Sequence, residues 1–186
     1  SSNKKQWLQC SHVFHEACLL QMRRLNVAGL CPTCRHASQD LTPLHELCSK
    51  AIQHDISKRW SESCFYASEA VEIALESSEE AISMHRLLGV RFLEGKGVKQ
   101  NICAGMQHLQ KACLQHDSHA CIYLGELHCF ACIGDTHFNI TKALELFEQA
   151  RSQGSAQASC HMSILYILDI GIEKNIERSF ELMEEA

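Results

Sequence analysis

The stretch Asn101-Ile102-Cys103-Ala104-Gly105-Met106-Gln107-His108-Leu109-Gln110-Lys111-Ala112 occurs three times in altered form. It returns as Asn139-Ile140-Thr141-Lys142-Ala143-Leu144-Glu145-Leu146-Phe147-Glu148-Gln149-Ala150. A third version runs from Asn175-Ile176 to Ala186, so the copies start 38 and then 36 residues apart. Counting each Asn as zero, position 4 is small (Gly105, Ala143, Ser179) and position 5 apolar (Met106, Leu144, Phe180). Position 8 is apolar (Leu109, Phe147, Met183) and position 11 is always Ala. Such steps mark one face of a helix with 3.6 residues per turn. Each Asn predicts an N-cap, its side-chain oxygen accepting a backbone N–H of the first turn.

Another helix precedes each copy, aligned through Leu88-Gly89, Leu124-Gly125 and Met162-Ser163. Two helices per unit at this period predict an α-solenoid. The two-residue difference in spacing fits an insertion near Gly134 to Phe138. Leu88-Gly89 with Leu93-Glu94-Gly95-Lys96-Gly97-Val98, followed by the Ala-rich second helix, resembles the Sel-1-like repeat, a relative of the tetratricopeptide repeat. The resemblance covers roughly residues 79–186 as three units, about 81–118, 119–156 and 157–186. Gly134-Asp135 and Gly171-Ile172 match its Gly-x-Gly-Val loop only in part. It implies a helical solenoid that recruits a substrate or adaptor on its concave face. The third unit lacks a polar cap, and a continuation of the chain is expected. Lys111-Ala112-Cys113 and Cys121-x-x-Leu124-Gly125 are similar to a cysteine-bearing variety of these repeats found in secreted bacterial proteins. There the two cysteines bridge adjacent helices, which implies that Cys113 and Cys121 are near neighbours.

The N-terminal region carries a different pattern. Cys10-Ser11-His12-Val13-Phe14-His15-Glu16-Ala17-Cys18 is followed, twelve residues later, by Cys31-Pro32-Thr33-Cys34-Arg35. Cys-x-His, His-x-x-Cys and Cys-x-x-Cys are three pairs of thiolate and imidazole donors. Closely spaced pairs let one short turn present two ligands to a zinc ion. This stretch resembles the later part of a RING finger of the two-histidine subtype, with Cys10, His12, His15, Cys18, Cys31 and Cys34 matching its third to eighth ligands. The resemblance implies that Cys10, His12, Cys31 and Cys34 form one complete zinc site. His15 and Cys18 would form half of another, with the missing Cys-x-x-Cys expected upstream. It also implies that Met22, Pro32 and Arg35 contact a ubiquitin-conjugating enzyme, Arg35 reaching ubiquitin as well. Taken without the resemblance, Met22 and Pro32 read as packing and turn residues, and Arg35 as a solvated charge. Trp7, Leu8 and Phe14 are expected to pack under the zinc knuckle, and Leu19 to Asn26 to form a short helix facing inward through Leu19, Met22 and Leu25.

Between the two patterns, His36 to Thr42 reads as a linker. Pro43 opens a helix whose apolar face is Leu44, Leu47, Cys48, Ala51 and Ile52. Asp55-Ile56-Ser57 predicts a cap for a further helix to about Ser77, with Trp60, Cys64, Ala67, Val71 and Leu75 inward. His128, Cys129, Cys132 and His137 offer a second set of metal donors, although the repeat alignment puts Cys129 and Cys132 at a helix end.

The chain of 186 residues has a net charge of −5 and no basic block, which argues against partners held by bulk positive charge, such as nucleic acid or anionic lipid. No apolar run approaches the length needed to span a bilayer. No nucleophile constellation and no phosphate-binding glycine loop is visible. Twelve cysteines raise the alternative of a secreted disulfide scaffold. Zinc thiolates require reduction, which points to the cytoplasm or nucleus.

The sequence thus predicts a mostly α protein: a RING-type zinc module over 1–36, a helical linker over 37–78 and Sel-1-like repeats over 79–186. The resemblances imply a ubiquitin ligase that acts by positioning a ubiquitin-loaded conjugating enzyme, with no catalytic side chain of its own. The alternative is a non-catalytic, zinc-stabilised scaffold for assembling protein complexes. A secreted cysteine-rich repeat protein, with Cys113 and Cys121 oxidised, is a third reading.

Overall fold

The computed structural model describes residues 4–25, 29–36, 38, 41–129, 139–168 and 172–186. The chain divides into two compact units, Ser1–Gln100 and Asn101–Ala186. It is mostly helical.

Unit 1 opens with a hairpin of β1 (Lys5–Trp7) and β2 (Val13–His15), paired antiparallel with Lys5 opposite His15 and Trp7 opposite Val13. Helix α1 (Glu16–Arg24) follows directly, starting three residues before the predicted Leu19. Leu8, Leu19, Cys31 and Leu41 form a small buried core, with Phe14 packed against it. Two expected core residues lie outside it. Trp7 is 69% exposed, because neighbouring residues on an extended chain point to opposite faces and Leu8 takes the inward one. Leu25 caps the C-terminus of α1 and is exposed. Met22 is half-buried.

Three helices complete this unit: α2 (Leu44–Ile56), α3 (Trp60–Ile73) and α4 (Glu79–Glu94). They share one core that includes Leu47, Cys48, Ala51, Cys64, Ala67, Ala70, Ile73, Met84 and Leu88. Pro43 stands at the N-cap of α2. The predicted inward residues Ile52 and Leu75 are exposed; α3 ends at Ile73 with Ala74 already extended, so the helical face never reaches Leu75. Nor does Asp55 cap α3. Its two carboxylate oxygens instead accept N–H bonds from Arg91 Nε and Nη2 at 2.7 Å each, tying the end of α2 to α4. Helix α1 is fastened to this layer by Arg24 Nε, which donates to the Ile73 carbonyl at 2.5 Å, and by Arg23 Nε, which donates to the Thr42 carbonyl at 3.1 Å. Gly97 (φ +79) lies against the Trp60 backbone, where a Cβ would come within 2.3 Å. The loop Gly95-Lys96-Gly97 therefore needs glycine at 97 for contact as well as for backbone angle.

Unit 2 consists of α5 (Ile102–Leu114), α6 (Ser118–Cys129), α7 (Ile140–Ser152), α8 (Ala156–Leu168) and α9 (Ile176–Glu184). Asn101, Asn139 and Asn175 are all N-caps, accepting from the backbone N–H of Ala104, Lys142 and Arg178 at 2.9–3.0 Å. Gly105, Leu109 and Ala112 of α5 are buried, as are Ala143, Phe147 and Ala150 of α7. Gly125 marks the close approach of α6 to α7: a Cβ there would stand 2.6 Å from the Phe147 ring. In α9 the predicted face is only partly inward. Ser179 and Leu182 are buried while Phe180 and Met183 are exposed. Leu109 and Phe147 are covered because α6 and α8 follow α5 and α7, whereas no described helix follows α9. The insertion predicted near 134–138, Cys132, His137 and Gly171 all fall outside the described residues.

Candidate metal centre and the repeat family

The metal centre is built by two tight turns. Between β1 and β2 the chain reverses with Leu8 N–H donating to the His12 carbonyl and Ser11 N–H to the Leu8 carbonyl, both at 2.8 Å. Ser11 takes φ 64, which compresses the turn so that Cys10 and His12 face the same way. The second turn runs from Cys31 to Arg35, closed by Arg35 N–H donating to the Cys31 carbonyl at 2.9 Å. Arg35 itself adopts φ 60. Cys10, His12, Cys31 and Cys34 are thereby brought together, their donor atoms all within 4.8 Å of one another. Among the described residues this is the one cluster of Cys, His or carboxylate groups arranged for a metal.

Two observations concern whether a metal fits. His12 Nδ1 is buried and has no hydrogen-bond partner among the described residues, the state of a ring nitrogen reserved for coordination. The thiols also act on one another. Burial pushes Cys31 up, but N–H groups of Cys34 and Thr33 and the neighbouring thiols outweigh it, and Cys31 falls to about 6. Cys10 is lowered by the His12 N–H, yet burial and the thiols of Cys31 and Cys34 raise it above its ordinary value. Metal ligation needs thiolate, and three thiols this close repel one another once ionised, so a cation among them is favoured. Three sulfurs and one imidazole nitrogen suit zinc in a closed tetrahedral set.

The remaining predicted site residues are not part of this donor set. His15 and Cys18, at the start of α1, are both exposed. Pro32 and Arg35 are exposed on the second turn, and Met22 is half-buried on α1. In unit 2, Cys113 and Cys121 form a disulfide with 4.9 Å between their Cα atoms, so the two cysteines are the neighbours that the resemblance implies. Cys129 is buried, and burial followed by the charge of Glu126 pushes its thiol up to about 11. That suits a packing residue better than a thiolate ligand.

One feature of unit 2 had no sequence signature as a site. A cavity of about 320 Å³ opens among α5, α6 and α7, with Met106, Leu114, Leu124 and Leu146 as its apolar lining. Leu114 is the one detectable clue, since the matching position of α7 is Ser152.

Helix pairs that recur with the same Asn cap and the same small-residue contacts define an α-solenoid repeat protein. The Sel1 repeat matches residues 83–117, 118–155 and 156–186, over half of the sequence, and the chain belongs to the Sel1 repeat family. A crystal structure of a Sel1 repeat protein from Oxalobacter formigenes is similar, with a TM-score of 0.65 at 18% identity over 76% of this chain and 56% of that one. A protective antigen present in uropathogenic Escherichia coli strains, displaying an SLR fold, gives a TM-score of 0.63 at 18% identity. There the likeness covers 76% of this chain and 30% of the antigen. The chain thus spans about half and about a third of the lengths of these two structures, which share its fold. The likeness covers more than residues 83–186, so it runs back before residue 83, where α2 and α3 form a further helix pair. No curated protein matches the chain.

Proposed function

We propose that this protein is a scaffold that binds other proteins through its Sel1 repeats, with the N-terminal module held in shape by one structural zinc ion. The observation that carries this reading is the run of three matched repeats. Stacked helix pairs present extended surfaces that such proteins use for binding. Zinc is assigned to Cys10, His12, Cys31 and Cys34 from the chemistry of the donors. With four protein ligands it leaves no open position for water, so its role is to fold the module rather than to catalyse. Cross-linking mass spectrometry on the full-length protein in cells tests the reading. The expected result is cross-links from partner proteins to the lysines of unit 2, and their absence would overturn it.

A second reading, the RING-type ubiquitin ligase, rests on the pairing of Cys10 and His12 with Cys31 and Cys34. This skips His15 and Cys18, as alternating zinc sites would. On that reading Met22, Pro32 and Arg35 meet the conjugating enzyme and ubiquitin. Ubiquitin discharge from a panel of loaded conjugating enzymes separates the two. A scaffold stimulates none. A ligase stimulates at least one, and Arg35→Ala slows it sharply while leaving zinc content intact, because Arg35 is exposed and binds no metal. We place the protein in a reducing compartment, cytoplasmic or nuclear, because zinc thiolates must stay reduced; Cys113 and Cys121, bridged in the structure, would be a dithiol there. Mass spectrometry after rapid alkylation of cellular protein tests this: alkylated Cys31 and Cys34 are expected, and oxidised ones would move the protein to an oxidising compartment.

A further inference from the structure

The cavity of unit 2 carries features that repeat packing does not require, and the three copies make them visible by comparison. Position 13 is Leu114 in α5 but Ser152 in α7, and Leu114 is 68% exposed. Position 9 is Gln110 where the other copies have Glu148 and Glu184, so the lining loses a carboxylate. Position 3 is Lys142, as it is Arg178 in α9 but Ala104 in α5, so the lining carries an ammonium group. His128 also lines it, and among the described residues no acidic side chain does. Lys142 Nζ pairs with Glu145 at 2.8 Å, but both side chains are more than half exposed. Such a surface pair holds little energy and can exchange partners.

The walls are fixed in advance. Cys113 of α5 and Cys121 of α6 lie with their Cα atoms 4.9 Å apart, which holds the end of α5 against α6 whether or not the sulfurs are bridged. The Gln149 side chain donates its Nε2–H to the Cys113 carbonyl at 3.0 Å, which ties α7 to the same point. A preformed site loses less entropy on binding than one assembled by its ligand. At about 320 Å³ the space is at the low end for ligand sites, enough for one large apolar side chain and the backbone beside it.

We propose that this cavity is the docking pocket for an acidic peptide segment of a partner protein. The segment inserts one leucine-sized apolar side chain against Met106, Leu124 and Leu146, and sets an adjacent carboxylate against Lys142. This rests on the scaffold reading and names the chemistry of the partner.

Fluorescence anisotropy with the full chain tests it. The probes are fluorescein-labelled decapeptides in a glycine–serine frame, carrying a central leucine flanked by two aspartates. Control peptides replace the leucine by serine, or the aspartates by lysines. The acidic leucine peptide should bind at least about tenfold more tightly than its serine control. Lys142→Glu should reverse the preference between acidic and basic peptides, and Leu114→Ser should weaken the leucine peptide with no change in thermal melting. Equal binding of the leucine and serine peptides, or a charge preference that ignores Lys142→Glu, overturns the pocket. The cellular cross-linking above keeps the two readings apart. Partner cross-links to unit 2 that persist in the Lys142→Glu, Leu114→Ser double variant refute the pocket and leave the scaffold standing. No partner cross-links in the parent protein refute the scaffold itself.

Discussion

In the N-terminal module the described apolar core consists of Leu8, Leu19, Cys31 and Leu41. In unit 2 the buried set runs through every helix and includes Leu109, Phe147, Leu165 and Leu182 together with alanines at each helix contact. Four buried residues offer little to offset the entropy of ordering two turns and a hairpin, so on the proposed reading the module depends on a metal held by Cys10, His12, Cys31 and Cys34. The repeats need none, because each helix pair buries its small-residue face on the next. On that reading one region is held by coordination and the other by repetition, and the same chain lets each be broken separately.

The largest expected effect follows from removing the metal. Cys31→Ser, or a strong chelator, should unfold residues 4–36, since structural zinc supplies on the order of 10 kcal/mol of folding free energy. Circular dichroism should show little loss of helix. The cooperative melting of unit 2 should remain, as its core contains none of these residues. Simultaneous loss of both transitions would show that the two regions are not independent. The parent should release zinc on acidification, because protons compete for thiolate and imidazole.

Next comes the repeat interface. Phe147 is 1% exposed, its ring packed on Gly125 and stacked on His161 with centroids 5.2 Å apart. Phe147→Ala should cost about 3–5 kcal/mol, read as a lower urea midpoint for unit 2 with zinc content unchanged. Removing the disulfide by Cys113→Ser with Cys121→Ser should cost about 2–3 kcal/mol, since the closed loop is short. That loss should vanish when both proteins are compared under reducing conditions, whereas the loss from Phe147→Ala should not.

How far the sequence carried this contrast depends on whether a feature is periodic. Asn101, Asn139 and Asn175 announce their caps because capping is local and recurs. Gly125 and Ala150 announce close contacts for the same reason. Features set by non-repeating context were missed. Trp7 reads as a core residue until strand alternation turns it outward. Asp55 reads as a cap until Arg91, distant in sequence, claims its carboxylate. At the candidate metal centre the spacing picked out the four donors that the fold brings together, Cys10, His12, Cys31 and Cys34, but also His15 and Cys18, which stay outside the cluster. The geometry at Ser11 and Arg35, and the unpartnered Nδ1 of His12, come only from the folded turns. The unit 2 cavity was illegible because its lining comes from three helices and none of its residues forms a motif.

The smallest expected effect is the sharpest test of the repeat argument. Met183 holds the same register position as Leu109 and Phe147, and a sequence reading would rank the three alike. Leu109 is 0% and Phe147 1% exposed, but Met183 is 46% exposed. Phe147 is held between Gly125 of α6 and His161 of α8, whereas Met183 stays half open although α8 packs on α9 through its other side. Burial of apolar area, not position in the repeat, should therefore set the cost of truncation. Met183→Ala should shift stability by no more than about 0.5 kcal/mol, several-fold below Phe147→Ala in the same urea titration. If the two substitutions cost the same, something covers α9 in solution and the face of Phe180 and Met183 is an interface. If Met183→Ala is silent, the exposed face of α9 is free, and α9 contributes to unit 2 through its buried side, Ser179 and Leu182.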